Sequence, residues 1–224
     1  YAGLPAGRLT PAVYSDKEGC GVNYVDAGSL DKRLVLLSFQ EDTTGAWRWV
    51  ETGLLWGDLT LSGKKNLFSS VGIGARDAEI ILRKRPITLH QALRWGSQHL
   101  FLTEITDYNR MYLQARAALV TPVACSAIRY QSSLGPGNRP VRTPLEPVTF
   151  PGVLTEKYTG YDRQDTHAQA ETRLVLVVPK AIELMEGDLV TVQEGPAAAE
   201  YNVQIRHVLD PYKNEYEIAW RRDV

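Results

Sequence analysis

Apolar residues along most of this chain recur at every second position, in runs bounded by short polar turns. That period is the one a strand buries on one face. In "HLFLTEITDYNRMYLQARAAL", residues 99–119, Leu113, Ala115, Ala117 and Leu119 alternate with Tyr112, Gln114 and Arg116 on either side of a polar turn. "EYNVQIRHVLDPYKNEYEIAW", residues 200–220, repeats the plan with different letters: Tyr201, Val203 and Ile205 alternate with Asn202, Gln204 and Arg206, and Tyr216, Ile218 and Trp220 with Glu215, Glu217 and Arg221. Helical spacing is scarce, so the expected fold class is mainly β.

The strands come in two series. From Lys32, "KRLVLLSF" reads as a buried strand, "QEDTTGA" as a hairpin turn, and "WRWVETGLLWGDLTL" as a long strand bent at Gly53 or Gly57. Residues 61–77, rich in glycine and serine, read as a long loop. "AEIILRKR", "ITLHQAL" and the first hairpin complete the series. After Val148 the order returns: "TFPGVLTEKY" as a strand, "TGYDRQDTHAQAE" as a loop, "TRLVLVVPK" as a buried strand, "AIELMEGDLVTVQEG" as a strand pair, and the second hairpin. Pro86 and Pro179 stop matching strands, and Asp107 with Asn109 and Asp210 with Asn214 close matching turns. Between the series, residues 121–148 hold five prolines and two glycines and read as a linker. Residues 1–30, interrupted by Gly3, Pro5, Gly7, Pro11, Gly19, Gly21 and Gly28, read as an extended N-terminal arm. The expected architecture is two tandem small antiparallel β-barrel or sandwich domains, residues 31–120 and 149–224.

Chemistry is sparse by comparison. A formal charge of −1 over 224 residues gives no global pull toward nucleic acid or anionic lipid. Cys20 and Cys125 make neither a disulfide framework nor a metal-binding pair, which suits a reduced intracellular protein. No stretch is apolar enough to span a membrane, and "YAGLPAGRLTPAVYSD" lacks the apolar core of a secretion signal. His90, His99, His167 and His207 are dispersed, and His167, near Asp162 and Asp165, reads as a solvated loop residue. "GIGAR", residues 72–76, has no strand-then-helix context for phosphate. A non-enzymatic chain without metal or cofactor is expected. Arg83, Lys84 and Arg85 form a basic cluster at a strand end, Lys64 and Lys65 another in the long loop, and Arg221 and Arg222 a third. Most of the five tryptophans read as core residues. Trp95, between Arg94 and Gly96 in a turn, is the interface candidate together with Arg83 and Arg85.

The order of elements over residues 30–120 resembles the head-closure (stopper, or head-tail joining) proteins of long-tailed bacteriophages. The likeness rests on a first strand and polar turn, a tryptophan-bearing strand with Trp47 or Trp49 and then Trp56, a long loop, a strand with Arg83, and a hairpin preceded by a turn at Gly96. The second series looks like a further copy, whereas relatives commonly have one barrel. The resemblance implies a homo-oligomeric ring, usually a hexamer, in the virion neck. It would assemble in the host cytoplasm between the portal-adaptor protein and the tail terminator or tail tube protein. Double-stranded DNA would pass through its channel without sequence-specific binding. It further implies that the loop 61–77 gates the channel, with Lys64, Lys65, Asn66, Phe68 and Arg76 facing it. The alternatives are an adaptor or tail-terminator ring protein, a single-strand nucleic-acid-binding barrel and a small hydrolase on a β scaffold.

Overall fold

The computed structural model describes Val25 and residues 27–61, 76–135, 138–158, 172–195 and 197–224. It contains two closed six-stranded antiparallel barrels in tandem. The first is built from β1 (Lys32–Glu41), β2 (Trp47–Leu61), β3 (Arg76–Arg83), β4 (Gln91–Trp95), β5 (Gln98–Asp107) and β6 (Tyr112–Val120), in the order β1-β2-β3-β6-β5-β4. The second uses β7 (Val123–Ile128), β10 (Val148–Tyr158), β11 (Thr172–Pro179), β12 (Leu189–Glu194), β13 (Ala197–His207) and β14 (Lys213–Asp223). Read from β7, its order is β7-β10-β11-β14-β13-β12, the path of the first barrel. Strands β8 (Tyr130–Leu134) and β9 (Pro140–Pro144) pair only with each other, as a two-stranded ribbon.

The repeat extends to individual hydrogen bonds. Where β3 leaves the first barrel, Lys84 N–H donates to Met111 O at 2.7 Å; where β11 leaves the second, Lys180 N–H donates to Tyr212 O at 3.1 Å. At the end of each crossover a side chain closes a turn on itself. Gln91 Oε1 accepts from Thr88 N–H at 3.0 Å, and Asp188 Oδ2 accepts from Met185 N–H at 2.7 Å. In the closing hairpins Asn109 Oδ1 accepts from the N–H groups of Met111 and Tyr112, and Asp210 Oδ1 from those of Tyr212 and Lys213.

One glycine is also shared, and close approach explains it. A Cβ on Gly57 would lie 2.6 Å from Leu82 Cδ2 and 3.0 Å from Ile81 O; one on Gly152 would lie 2.8 Å from Leu176 Cδ1 and 3.1 Å from Cys125 Sγ. Both glycines sit on the second strand of their barrel, where the first and third strands crowd inward. Gly53 marks a different irregularity, since the β1–β2 register shifts between Leu36 and Leu37 opposite it.

Each barrel has its own core. Leu34, Leu55, Ile80, Leu82, Leu93 and Leu100 fill the first; Phe150, Leu176, Val178, Val190, Val192 and Tyr216 fill the second. Burying each such side chain contributes about 1.5–3 kcal/mol. A third cluster, of Phe101, Ala118, Val120, Val153, Val175 and Val177 with Trp49 against it, joins the outer faces of the two barrels. It explains why "AALV" at the end of β6 breaks the alternation: Ala118 and Val120 face outward, onto the second barrel.

Several expectations differ from the structure. The stretch read as a linker, 121–148, carries β7, the ribbon and the first residue of β10, so the second barrel begins at Val123 instead of residue 149. Its prolines, apart from Pro136, which lies outside the described residues, stand where no ladder N–H is required: Pro122 and Pro147 precede strands, and Pro140 and Pro144 lie at the two ends of β9. Of "ITLHQAL" only Gln91 onward is strand, while Ile87 and Leu89 pack against the first core. The "AIELMEGD" half of the second strand pair is a turn segment whose Ile182 and Leu184 are buried. Arg83, not Pro86, is the ladder counterpart of Pro179, because Arg83 pairs with Tyr112 and Pro179 with Lys213. Asn109 matches Asp210; Asp107 instead pairs with Lys84, and Asn214 is buried, donating to Lys180 O and Ile182 O. The bulge between Val203 and Ile205 turns Ile205 to the outer face, opposite Glu217; Glu217 alternates with Tyr216 and Ile218 as expected but is buried, and Trp220, in step with Ile218, is exposed. The arm read as residues 1–30 lies outside the described residues except for Val25 and a 3-10 turn, Ala27–Ser29, that leads to buried Leu30.

Candidate interface groove

Strands β2 and β3 build an exposed apolar surface with arginines beside it. "Leu54-Leu55-Trp56" puts three large apolar residues in succession on β2, so alternation must expose some of them: Leu55 is buried, while Leu54 and Trp56 are 46% and 54% exposed. Those two, with Leu30, Leu55, Leu82, Arg83 and Arg85, line a groove of about 430 Å³. Arg85 is held across it by donating from Nη1 to Leu54 O at 3.2 Å. Arg83 ends β3, exposed, and has no acidic partner among the described residues, while Lys84 is engaged with Asp107 at 2.8 Å. Arg33 lies opposite Trp56 in the β1–β2 ladder. An exposed tryptophan on an apolar floor with guanidinium groups at the rim is the composition that carries protein–protein hot spots.

Of the residues singled out from sequence, Arg83 and Arg85 come together here. Trp95 does not join them: it ends β4, half-buried, beside the left-handed Gly96 (φ 60°) and against the first core. Arg76 opens β3, exposed and opposite Leu119. Lys64, Lys65, Asn66 and Phe68 lie outside the described residues, as does His167. Trp56 departs from the expectation that most of the tryptophans are core residues, and the signal for that is the unbroken apolar triplet.

His99 sits at the barrel junction, its ring centroid 6.3 Å from that of Trp49. Burial, helped by the nearby Arg94, lowers its pKa and favours the neutral ring. The Cys125 thiol is pushed up to about 12 by burial and is therefore protonated and unreactive in the folded chain. Burial works to raise the Glu200 carboxyl, but hydrogen bonds from Arg222 and Arg221 outweigh it and hold the pKa below the usual range. Among the described residues no group of three or more His, Cys, Asp or Glu side chains could hold a metal ion.

A second groove, of about 640 Å³, opens at the barrel junction between Trp47, Trp49, His99, Val123 and Phe150. Its aromatic wall is braced by Phe39, which stacks on Trp47 with ring centroids 5.1 Å apart. No helix among the described residues is long and apolar enough to cross a membrane. No protein-family model matches this chain, and no curated protein matches it.

Proposed function

We propose that this chain is a structural neck protein of a tailed phage, a subunit of the head–tail connector that forms a ring below the portal-adaptor protein and offers the tail a docking surface. The observation that carries the reading is the Leu54–Trp56 groove with Arg83 and Arg85, an exposed apolar surface on the outside of a closed barrel. A ring follows when such a surface on each copy meets a different surface on the next at a rotation that closes. In this reading the chain is non-enzymatic, acts in the virion neck after assembly in the host cytoplasm, and lets double-stranded DNA pass. Lys64 and Lys65, which lie outside the described residues, would be the cations that hold that DNA. An adaptor or tail-terminator ring would use the same groove.

Negative-stain imaging of the purified full chain tests the reading. Rings with a central hole are expected, and Trp56→Ala should weaken subunit association by roughly 2 kcal/mol or more, as hot-spot tryptophans do. A wild-type chain without rings, alone or with its adaptor partner, would overturn it. Trp56 among Arg33, Arg83 and Arg85 also favours a second reading, a platform for single-stranded nucleic acid. Affinity for an oligonucleotide that falls steeply with salt would select that reading over the ring.

A further inference from the structure

Closing a sheet into a barrel removes its strand edges. Among the described residues the ribbon β8–β9 has no place in either barrel, so both of its long edges are open. Its register fixes which main-chain groups look outward. Gly135 N–H donates to Arg139 O and Leu145 N–H to Arg129 O, both at 2.8 Å, and these pairs extend the ladder that runs from Tyr130↔Pro144 to Leu134↔Pro140. Bonded and non-bonded pairs alternate along an antiparallel ladder. Gln131 and Ser133 therefore bond inward to β9, and Tyr130, Ser132 and Leu134 turn their N–H and C=O groups away from it.

The two edges differ in kind. On β9 the outward positions are Pro140, Arg142 and Pro144: two residues without a donor and one charge, the devices by which strand edges are kept from pairing. Strand β8, Tyr-Gln-Ser-Ser-Leu, has neither proline nor charge, and all its residues are exposed, Tyr130 at 43% and Leu134 at 73%. A two-stranded ribbon is marginal in water by itself. This one is anchored at its root by Arg129, which donates from Nε and Nη2 to the buried Asp188 and from Nη2 to Glu183 O. At the corresponding point the first barrel has only the Asp42–Ala46 turn, so the barrel fold does not require a ribbon.

We infer that β8 is a self-pairing edge that joins two copies of this chain, antiparallel about Ser132, into a four-stranded sheet β9-β8-β8-β9. Ser132 then faces the same residue of the second copy, and Tyr130 faces the second copy's Leu134, an aromatic–aliphatic cross-strand pair of the favourable kind. Each of these pairs exchanges two main-chain hydrogen bonds, and no like charges meet in the new ladder. The contact is isologous and closes at two. It is thus separate from the ring contact: it pairs whole rings if rings form, and single chains if they do not.

Light scattering on the full chain reads this directly. The wild type should have twice the mass of Ser132→Pro, which removes an outward donor without touching the β8–β9 ladder, and twice the mass of Leu134→Lys, which brings charge to the edge. In a Cys20→Ser background, Ser132→Cys should form a covalent dimer under mild oxidation, since opposed residues of a bonded pair stand close enough for a disulfide. Equal masses for the wild type and a folded Leu134→Lys variant would overturn the inference, as would a Ser132→Cys chain that stays uncrosslinked. Ring formation at unchanged ring size in the variants would leave the proposed function standing, so the two readings fail separately.

Discussion

The two barrels follow one path with different interiors. The position occupied by Ala115 in the first, opposite Ile80, is occupied by Tyr216 in the second, opposite Leu176. In the first barrel aliphatic side chains suffice, with Ile87 and Leu89 of the crossover folded against the core. In the second, Tyr216 is fully buried and its hydroxyl donates to Ile182 O at 3.0 Å and accepts from Leu184 N–H at 2.9 Å. It binds the crossover to the core through polar groups the first barrel does not use. The path is set by what recurs, namely the inward glycine, the crossover hydrogen bonds and the hairpin cap; the filling is free to vary as long as volume and polar partners are met.

The largest expected effect tests that asymmetry. Tyr216→Ala should lower stability by roughly 3–5 kcal/mol in urea unfolding, as truncation of buried aromatics does. Tyr216→Phe should cost about 1–3 kcal/mol by leaving Leu184 N–H and Ile182 O without that partner. If Phe is neutral, the hydroxyl is not what ties the crossover down. The shared glycine gives the next effect. Gly57→Ala and Gly152→Ala should each cost about 1–3 kcal/mol through overpacking. Gly57→Ala should be the worse, because its Cβ meets the Ile81 carbonyl as well as a side chain. The smallest test is of the hairpin caps. Asn109→Ala and Asp210→Ala should lower the unfolding midpoint to a similar extent, each costing about 1 kcal/mol, and a large inequality would break the equivalence of the two turns.

The barrels were legible in the sequence because two-residue alternation is a local signal, and β2 and β6 could be read almost to the residue. The points that were missed depend on partners distant in the chain. The prolines of residues 121–148 read as strand-breaking until the ladder shows that Pro140 and Pro144 face away from it. The outward turn of Ile205 follows from a bulge that no local pattern announces. In the interface groove Arg83 and Arg85 were visible as a basic run, whereas Trp56 was hidden by its strand, and only the β1–β2 and β2–β3 pairing decides which side of the barrel it takes.

The short passage Thr121–Pro122 between β6 and β7 and the apolar seam of Phe101, Val120, Val153 and Val177 tie the two barrels together at the waist. A substitution that exposes this seam therefore uncovers apolar surface on both barrels at once.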